Sequence, residues 1–511
     1  MTATLLPFPI DRKDKKMKYI STRGAHKEGV SSAYAIKTGL ASDGGLFMPE
    51  TLPEIDLSFI EELSALTYEQ RAAKILSLFL TDYTEDELFS DAAAAYSKEK
   101  FTPTAAPVSR IGESLYMLEL WHGPTCAFKD MALQIMPRLF SRALKKCGEE
   151  RDALILVATS GDTGKAALEG YKDVPSTKIK VFYPIDGVSR VQKLQMQTQE
   201  GSNVSVVGIV GNFDDAQNGV KSIFSDAEFA EDLDKMGVFL SSANSINWGR
   251  LVPQIVYYIS AYCDMYKSGA LRLGEVMDVC VPTGNFGNIF AGYIAKLMGT
   301  PIGRLVCASN KNNILTDFLT DGVYDRNRAF HTTMSPSMDI LISSNLERLL
   351  YTVVGTDKTR EYMKALAKDG KYTVSEDELA KIRESFIGYY TEEEECKETI
   401  REIYKEENSL IDTHTAVAVH AAKCYASDYK TVAPMLVVST ASPYKFAADV
   451  LLSLTGSKPE DDLLALGMLK EYTGVEIPSP LARTIGKTPV YTGVIKREEM
   501  KSETGKFASA K

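Results

Sequence analysis

The sequence predicts an α/β protein: two open, twisted, mostly parallel sheet domains flanked by helices, preceded by a largely helical N-terminal domain. Three observations carry this reading. From about residue 150 onward, short apolar runs alternate with segments of helical period, the pattern of βαβ units and a parallel sheet. The first hundred residues instead place apolar residues at helical spacing, as in LSALTYEQRAAKILSLFL (63–80). A chain of 511 residues also exceeds what one core organises, so two or three domains are expected.

Residues 1–105 are assigned to the helical domain, with 1–16 ahead of the regular pattern and expected to be disordered or a tag. Residues 106–270 are assigned to a first βαβ domain. Its strands are ALILVATS (153–160), KIKVFYP (178–184) and NVSVVGIVG (203–211). Its helices are KAALEGY (165–171), RVQKLQMQ (190–197), FDDAQNGVKSIF (213–224) and a long one over 248–266. The polar, glycine-containing KSGALRLGE (267–275) marks a crossing into a second βαβ domain, 271–480. That domain has strands VMDVCVP (276–282), RLVCAS (304–309) and APMLVVST (433–440). Charge-rich helical insertions at 375–386 and 391–408 read as exposed faces, and the polar end, 481–511, as a loose tail.

Charged residues make up 25% and apolar residues 44% of the chain, an ordinary globular composition. The formal net charge of −10 argues against a general nucleic-acid binder, and no apolar run approaches the ~20 residues of a membrane span. Seven cysteines are scattered singly, with no CxxC pair, and five histidines show no metal-helix spacing. This disfavours a disulfide framework and a metal site, and points to the cytoplasm.

Three loops lie where an apolar strand meets a helix, the ligand-binding end of open α/β sheets. TSGDTGKAA (159–167) and PTGNFGNIFAGYIAK (282–296) are glycine-bearing. Glycine allows close approach of backbone to ligand, and the free amides opening the next helix favour an anion. Neither is a nucleotide loop. Gly161 and Gly164 are too close for GxxxxGK[ST], Ala166 follows Lys165, and GNFGN lacks the third glycine of GxGxxG. STASPYKF (439–446) offers neutral hydroxyls at Ser439, Thr440 and Ser442, for a ligand or for helix capping.

Lys129, in WHGPTCAFKDMAL (121–133), is either a solvated charge or a nucleophile. Phe128, Ala127 and Met131 beside it would desolvate the amine, lower its pKa and free its lone pair. A free amine together with a distant phosphate cradle suggests a cofactor with both an aldehyde and a phosphate, which pyridoxal 5'-phosphate has.

HGPTCAFKD, ATSGDTGKAA, NSINWGR, PTGNFGNIFAGYIAK and STASPYKF, in this order, resemble the threonine synthase family. YISTRG (19–24) and GLASDGGLFMPE (39–50) resemble its opening. The resemblance implies a fold-type-II pyridoxal-phosphate enzyme of the tryptophan-synthase β group. It implies that Lys129 holds the cofactor aldehyde, that Gly284, Asn285, Phe286, Gly287 and Asn288 bind its phosphate, and that the Thr440 hydroxyl meets the ring nitrogen. The activity it implies is conversion of O-phospho-L-homoserine and water to L-threonine and phosphate, by γ-elimination and β-addition of water. This is a carbon–oxygen lyase reaction, the last step of threonine biosynthesis.

Ser160, Asp162 and Thr163 are read as lining the pocket, with a turn or helix cap as the rival role. Asn244, Ser245, Asn247 and Arg250, together with Arg23, are candidates for the substrate phosphate. For Arg250 the alternative is a surface salt bridge. The same fold admits a relative acting on phosphoserine, one carbon shorter. The sequence leaves monomer and homodimer open.

Overall fold

The computed structural model describes residues 10–11, 16–159 and 161–510. Most of 1–16, and Ser160, therefore lie outside the described residues. Near the N-terminus, helices Ser32–Thr38, Leu57–Ser64, Tyr68–Phe79 and Glu85–Ala95 form the helical portion. The stretch 63–80, whose apolar residues fall at helical spacing, is divided between two helices. Thr67 and Gln70 form a reciprocal capping box that starts a new helix and turns the chain between them. Buried Arg71 then ties this portion to the centre of the molecule. Its guanidinium donates to Ser260 Oγ at 2.8 Å and Asp264 Oδ1 at 2.7 Å, both on helix Trp248–Lys267, and to the Leu63 carbonyl at 2.8 Å. That helix is buried along nearly its whole length, because it is apolar on all sides and packed between neighbours.

Two sheets follow. In the smaller, Val238–Ser241, Asp152–Ala158, Thr177–Pro184, Val204–Ile209 and Val494–Ile495 lie side by side, all parallel. In the larger the order is Phe386–Tyr390, Ile302–Ser309, Met277–Pro282, Met435–Ser439, Leu115–Glu119 and Val108–Arg110, parallel except for the last pair. The strands read from the sequence at 153–160, 178–184, 203–211, 276–282, 304–309 and 433–440 all fall in these sheets.

Two features depart from the sequence reading. The strands at 108–119, expected with the lysine-bearing βαβ unit, belong to the larger sheet. Leu115–Glu119 pairs residue for residue with Met435–Ser439. The end of the chain is not a loose tail. Val494–Ile495 adds an edge strand to the smaller sheet, and helix Met500–Ser509 packs on it, with Met500 seated over Gly219, where no side chain intrudes. Met500 is 1% exposed and joins Leu154, Leu156, Phe182 and Ile223 in one apolar cluster. The polar spacing hides this, because only one face of a short helix is apolar.

The insertions behave as read. Helix Glu393–Glu407 buries only Cys396, Thr399, Ile400 and Ile403, and turns its acids to solvent.

Truncating Met500 to alanine leaves a cavity under the terminal helix. The expected cost is ~2–5 kcal/mol, read as a lower thermal midpoint by calorimetry with turnover per folded enzyme unchanged.

Candidate active site

The carboxyl ends of the adjacent strands Leu115–Glu119 and Met435–Ser439 lie side by side, and the chain beyond each is stitched to the other. Leu120 N–H donates to the Ser439 carbonyl at 3.0 Å and Phe128 N–H to the Thr440 carbonyl at 2.8 Å. Ser442 N–H donates to the Cys126 carbonyl at 3.0 Å, and Ala127 pairs antiparallel with Ala441. Lys129 and Thr440, far apart in sequence, are thereby fixed on neighbouring strands of backbone.

The segment before the lysine is held by Asp130. This buried carboxylate accepts from the Thr125 N–H and hydroxyl, both at 2.8 Å, and burial pushes it up to about 7. Gly123 passes so close that a Cβ there would lie 2.6 Å from Asp130 Oδ2. Cys126 takes φ 58°, a left-handed turn that aims the chain into the site. His122 stacks on Trp121 and bonds Glu119 Oε2 at 2.7 Å, so its role is to brace this segment.

Lys129 is not a solvated charge. Its Nζ donates to Ser337 Oγ at 3.3 Å, faces Asp162 Oδ2 at 3.7 Å and lies 5.1 Å from the Phe128 ring centre. Burial lowers its pKa. Asp162 opposes that shift, while Arg250 and Lys445 reinforce it.

The glycine loop after strand Met277–Pro282 meets Lys129 through the same serine. A Cβ on Gly284 would fall 2.8 Å from the Ser337 carbonyl oxygen, so only glycine fits there. Ser343 Oγ donates to the Gly284 carbonyl at 2.6 Å, and Asn345 donates to the Asn285 carbonyl through its N–H at 3.1 Å and its side-chain amide at 3.0 Å. With those carbonyls tied back, Phe286 takes a left-handed φ of 61° and helix Gly287–Met298 begins.

Asn288 Oδ1 accepts from the Tyr257 and Tyr258 hydroxyls at 2.6 and 2.7 Å. Its buried Nδ2 has no partner among the described residues. An unmet buried amide costs ~1–3 kcal/mol, and an anion at this helix start relieves it. The Thr440 hydroxyl is likewise without a hydrogen bond among the described residues, although Thr440 is only 6% exposed. Gly284, Phe286, Gly287, Asn288 and Thr440 thus fit a phosphorylated aromatic cofactor held opposite Lys129. Asn285 lies exposed at the loop's outer edge.

The other sequence candidates divide. Asp162, buried, opens helix Asp162–Tyr171 and accepts from Lys445 Nζ at 2.9 Å and Gln192 Nε2 at 2.8 Å. Burial would raise its pKa, but Lys445 and Lys129 outweigh that and hold it well below the usual carboxylate range. Thr163 is half-buried beside it.

Arg250 is no surface salt bridge. It is 6% exposed and donates to the Ala243 carbonyl at 2.7 Å. Its Nε is buried without a partner, and burial lowers its pKa to about 10. Asn244 is exposed, and Ser245 beside it donates to it at 3.4 Å. Asn247 is fully engaged elsewhere: Oδ1 caps helix Trp248–Lys267 through Gly249 N–H at 2.8 Å, and Nδ2 donates to the Ile36 carbonyl at 2.8 Å. Arg23 is clamped by both carboxylate oxygens of Glu347, at 2.8 and 2.7 Å. Both are committed to structure here.

Sequence reasoning missed Ser337, Lys445, Gln192 and Gln195. Lys445 stood inside STASPYKF, and a lysine following a strand-end loop was the one available signal for it.

The chain resembles known proteins over most of its length. A family profile for the threonine synthase N terminus matches residues 18–96, one for pyridoxal-phosphate dependent enzymes matches 98–441, and one for the threonine synthase C-terminal region matches 415–470. Threonine synthase of Pseudomonas aeruginosa is 39% identical, over 87% of this chain and 92% of its own. Human threonine synthase-like 1 is also 39% identical, over 85% of this chain, which spans 60% of that longer protein. The crystal structure of pyridoxal-phosphate-bound threonine synthase from Brucella melitensis superposes with a TM-score of 0.86 at 36% identity, covering 97% of this chain and 100% of that one. The yeast enzyme gives 0.86 at 32%, covering 96% and 98%.

Pyridoxal 5'-phosphate is the cofactor that both the cradle and the relatives indicate. Gly284→Ala forces the cradle off Ser337, an overpacking of ~1–3 kcal/mol. Cofactor affinity is expected to fall at least about tenfold by fluorescence titration, with the thermal midpoint of the cofactor-free chain nearly unchanged. The chain belongs to the threonine synthase family of pyridoxal-phosphate-dependent lyases.

Proposed function

We propose that this chain converts O-phospho-L-homoserine and water to L-threonine and phosphate. One observation supports a phosphorylated substrate beyond family membership. Besides the cofactor cradle, the site has a second group suited to an anion. Arg250 is buried, has no carboxylate partner among the described residues, and lies near enough to Lys129 for its charge to lower that amine's pKa. Asn244 and Ser245 stand at the exposed rim of the same segment.

When bound, pyridoxal phosphate supplies an electron sink for charge developing at the substrate α-carbon. Gly284, Phe286, Gly287 and Asn288 would hold its phosphate, and Thr440 would give its ring nitrogen a neutral hydroxyl partner. Lys129 is the proton carrier. Its half-buried amine, held by Ser337, takes the proton from Cα. A second proton leaves Cβ, phosphate leaves Cγ, water adds its hydroxyl at Cβ, and protons return to Cα and Cγ. Arg250 would offer the departing phosphate two parallel donors.

The seven cysteines are all unpaired, which supports a reducing cytoplasmic setting, and no described helix is long and apolar enough to cross a membrane.

Phosphate release from O-phosphohomoserine is the test. Lys129→Ala is expected to lose at least ~10²-fold in kcat, and Arg250→Gln to raise KM about tenfold with a smaller change in kcat. Faster release from O-phosphoserine than from O-phosphohomoserine would refute the substrate assignment.

A further inference from the structure

Asp162 stands between two amines. Its Oδ1 accepts from Lys445 Nζ at 2.9 Å and from Gln192 Nε2 at 2.8 Å, while its Oδ2 faces Lys129 Nζ at 3.7 Å. The Lys445 side chain is wholly shut off from solvent, and its Nζ also donates to Gln195 Oε1 at 2.6 Å. A buried lysine of this kind needs a reason, since removing an ammonium from water is expensive unless it is paired.

The reason lies at Lys129. A buried carboxylate alone beside an amine holds it as ammonium, which has no lone pair to give an aldehyde or to take a proton. We propose that Lys445 is a positioning residue that occupies the Asp162 carboxylate and so keeps the Lys129 amine free to react.

The groups around Lys129 point the same way. Two amines share one carboxylate here, and the amine with the weaker partners sheds its proton more readily. Lys445 has the closer carboxylate contact and a second acceptor in Gln195. Lys129 has the longer contact, a single hydroxyl acceptor in Ser337, and Arg250 as a further nearby cation. The remaining charged neighbours are engaged elsewhere. Asp130 is held by Thr125. Behind Ser337, Asp412 is bonded to His414, whose Nε2 accepts the Ser337 N–H at 3.1 Å. Lys129 is therefore the amine with the weaker hold on its proton, and burial shifts its pKa in that direction.

This inference rests on Lys129 being the reactive lysine. It is tested without cofactor or substrate, so that failure of the proposed reaction and failure of this inference are separable. The cofactor-stripped full chain is labelled with trace acetic anhydride across a pH series, and acetylation of the Lys129 peptide is read by mass spectrometry. Lys445→Met is expected to raise the labelling midpoint of Lys129 by about one pH unit or more, and Asp162→Asn to lower it. Should Lys445→Met not fold, because Asp162 is then buried without its partner, Lys445→Gln keeps an amide donor beside Asp162 and removes only the charge. Its midpoint is likewise expected above that of the wild type. Equal Lys129 midpoints in the wild type and in the variant that folds, Lys445→Met or Lys445→Gln, would overturn the proposal.

Discussion

The site depends on a short antiparallel stitch between two loops. Phe128 donates to Thr440 and Ser442 donates to Cys126, joining the segment after strand Leu115–Glu119 to the segment after strand Met435–Ser439. Backbone hydrogen bonds of this kind leave little freedom of register. Once the two strands pair in the larger sheet, the lysine and the hydroxyl must face one pocket. The glycine loop joins them from the next strand across, because Met277–Pro282 pairs with Met435–Ser439 in the same sheet. Ser337 then closes the arrangement, its hydroxyl on Lys129 and its carbonyl against Gly284.

The pocket is built at a cost in stability. Asn288 Nδ2 and Arg250 Nε are buried donors with no partner among the described residues, and Lys445 is a fully buried ammonium. An interior selected for stability alone would replace these with apolar groups. For Asn288 and Arg250 this makes sense as preorganisation: each keeps a buried donor free for an anionic group, so that little reorganisation is needed on binding. Asp162 differs, because its charge is compensated internally. It adjusts an amine instead of waiting for a ligand.

Part of this was legible in the sequence. Neighbouring residues made Lys129, the loop Gly284–Asn288 and Thr440 candidates, each with a structural alternative, and the resemblance of their motifs to a known family supplied their roles. Most strands and helices of the βαβ regions follow from their periodicity. Other features come from pairings that no local pattern encodes. Leu115–Glu119 precedes the regular alternation, yet joins a sheet whose partner strand begins at Met435. Val494–Ile495 is too short to register as a strand, and its neighbour Met500 shows its burial only against Gly219. Asn247 and Arg23 were plausible anion ligands by residue type, but a helix start and Glu347 had already claimed them. Lys445 was invisible in the opposite sense: a charged residue in a loop reads as solvated until Asp162, far away in sequence, is seen beside it.

The chemistry turns on which amine holds the cofactor, in a pocket with two lysines on one carboxylate. Borohydride reduction of the cofactor-loaded chain, followed by peptide mapping, answers this directly. The pyridoxyl label is predicted on Lys129 alone. A label on Lys445, or on any other lysine, would contradict the assignment of the site.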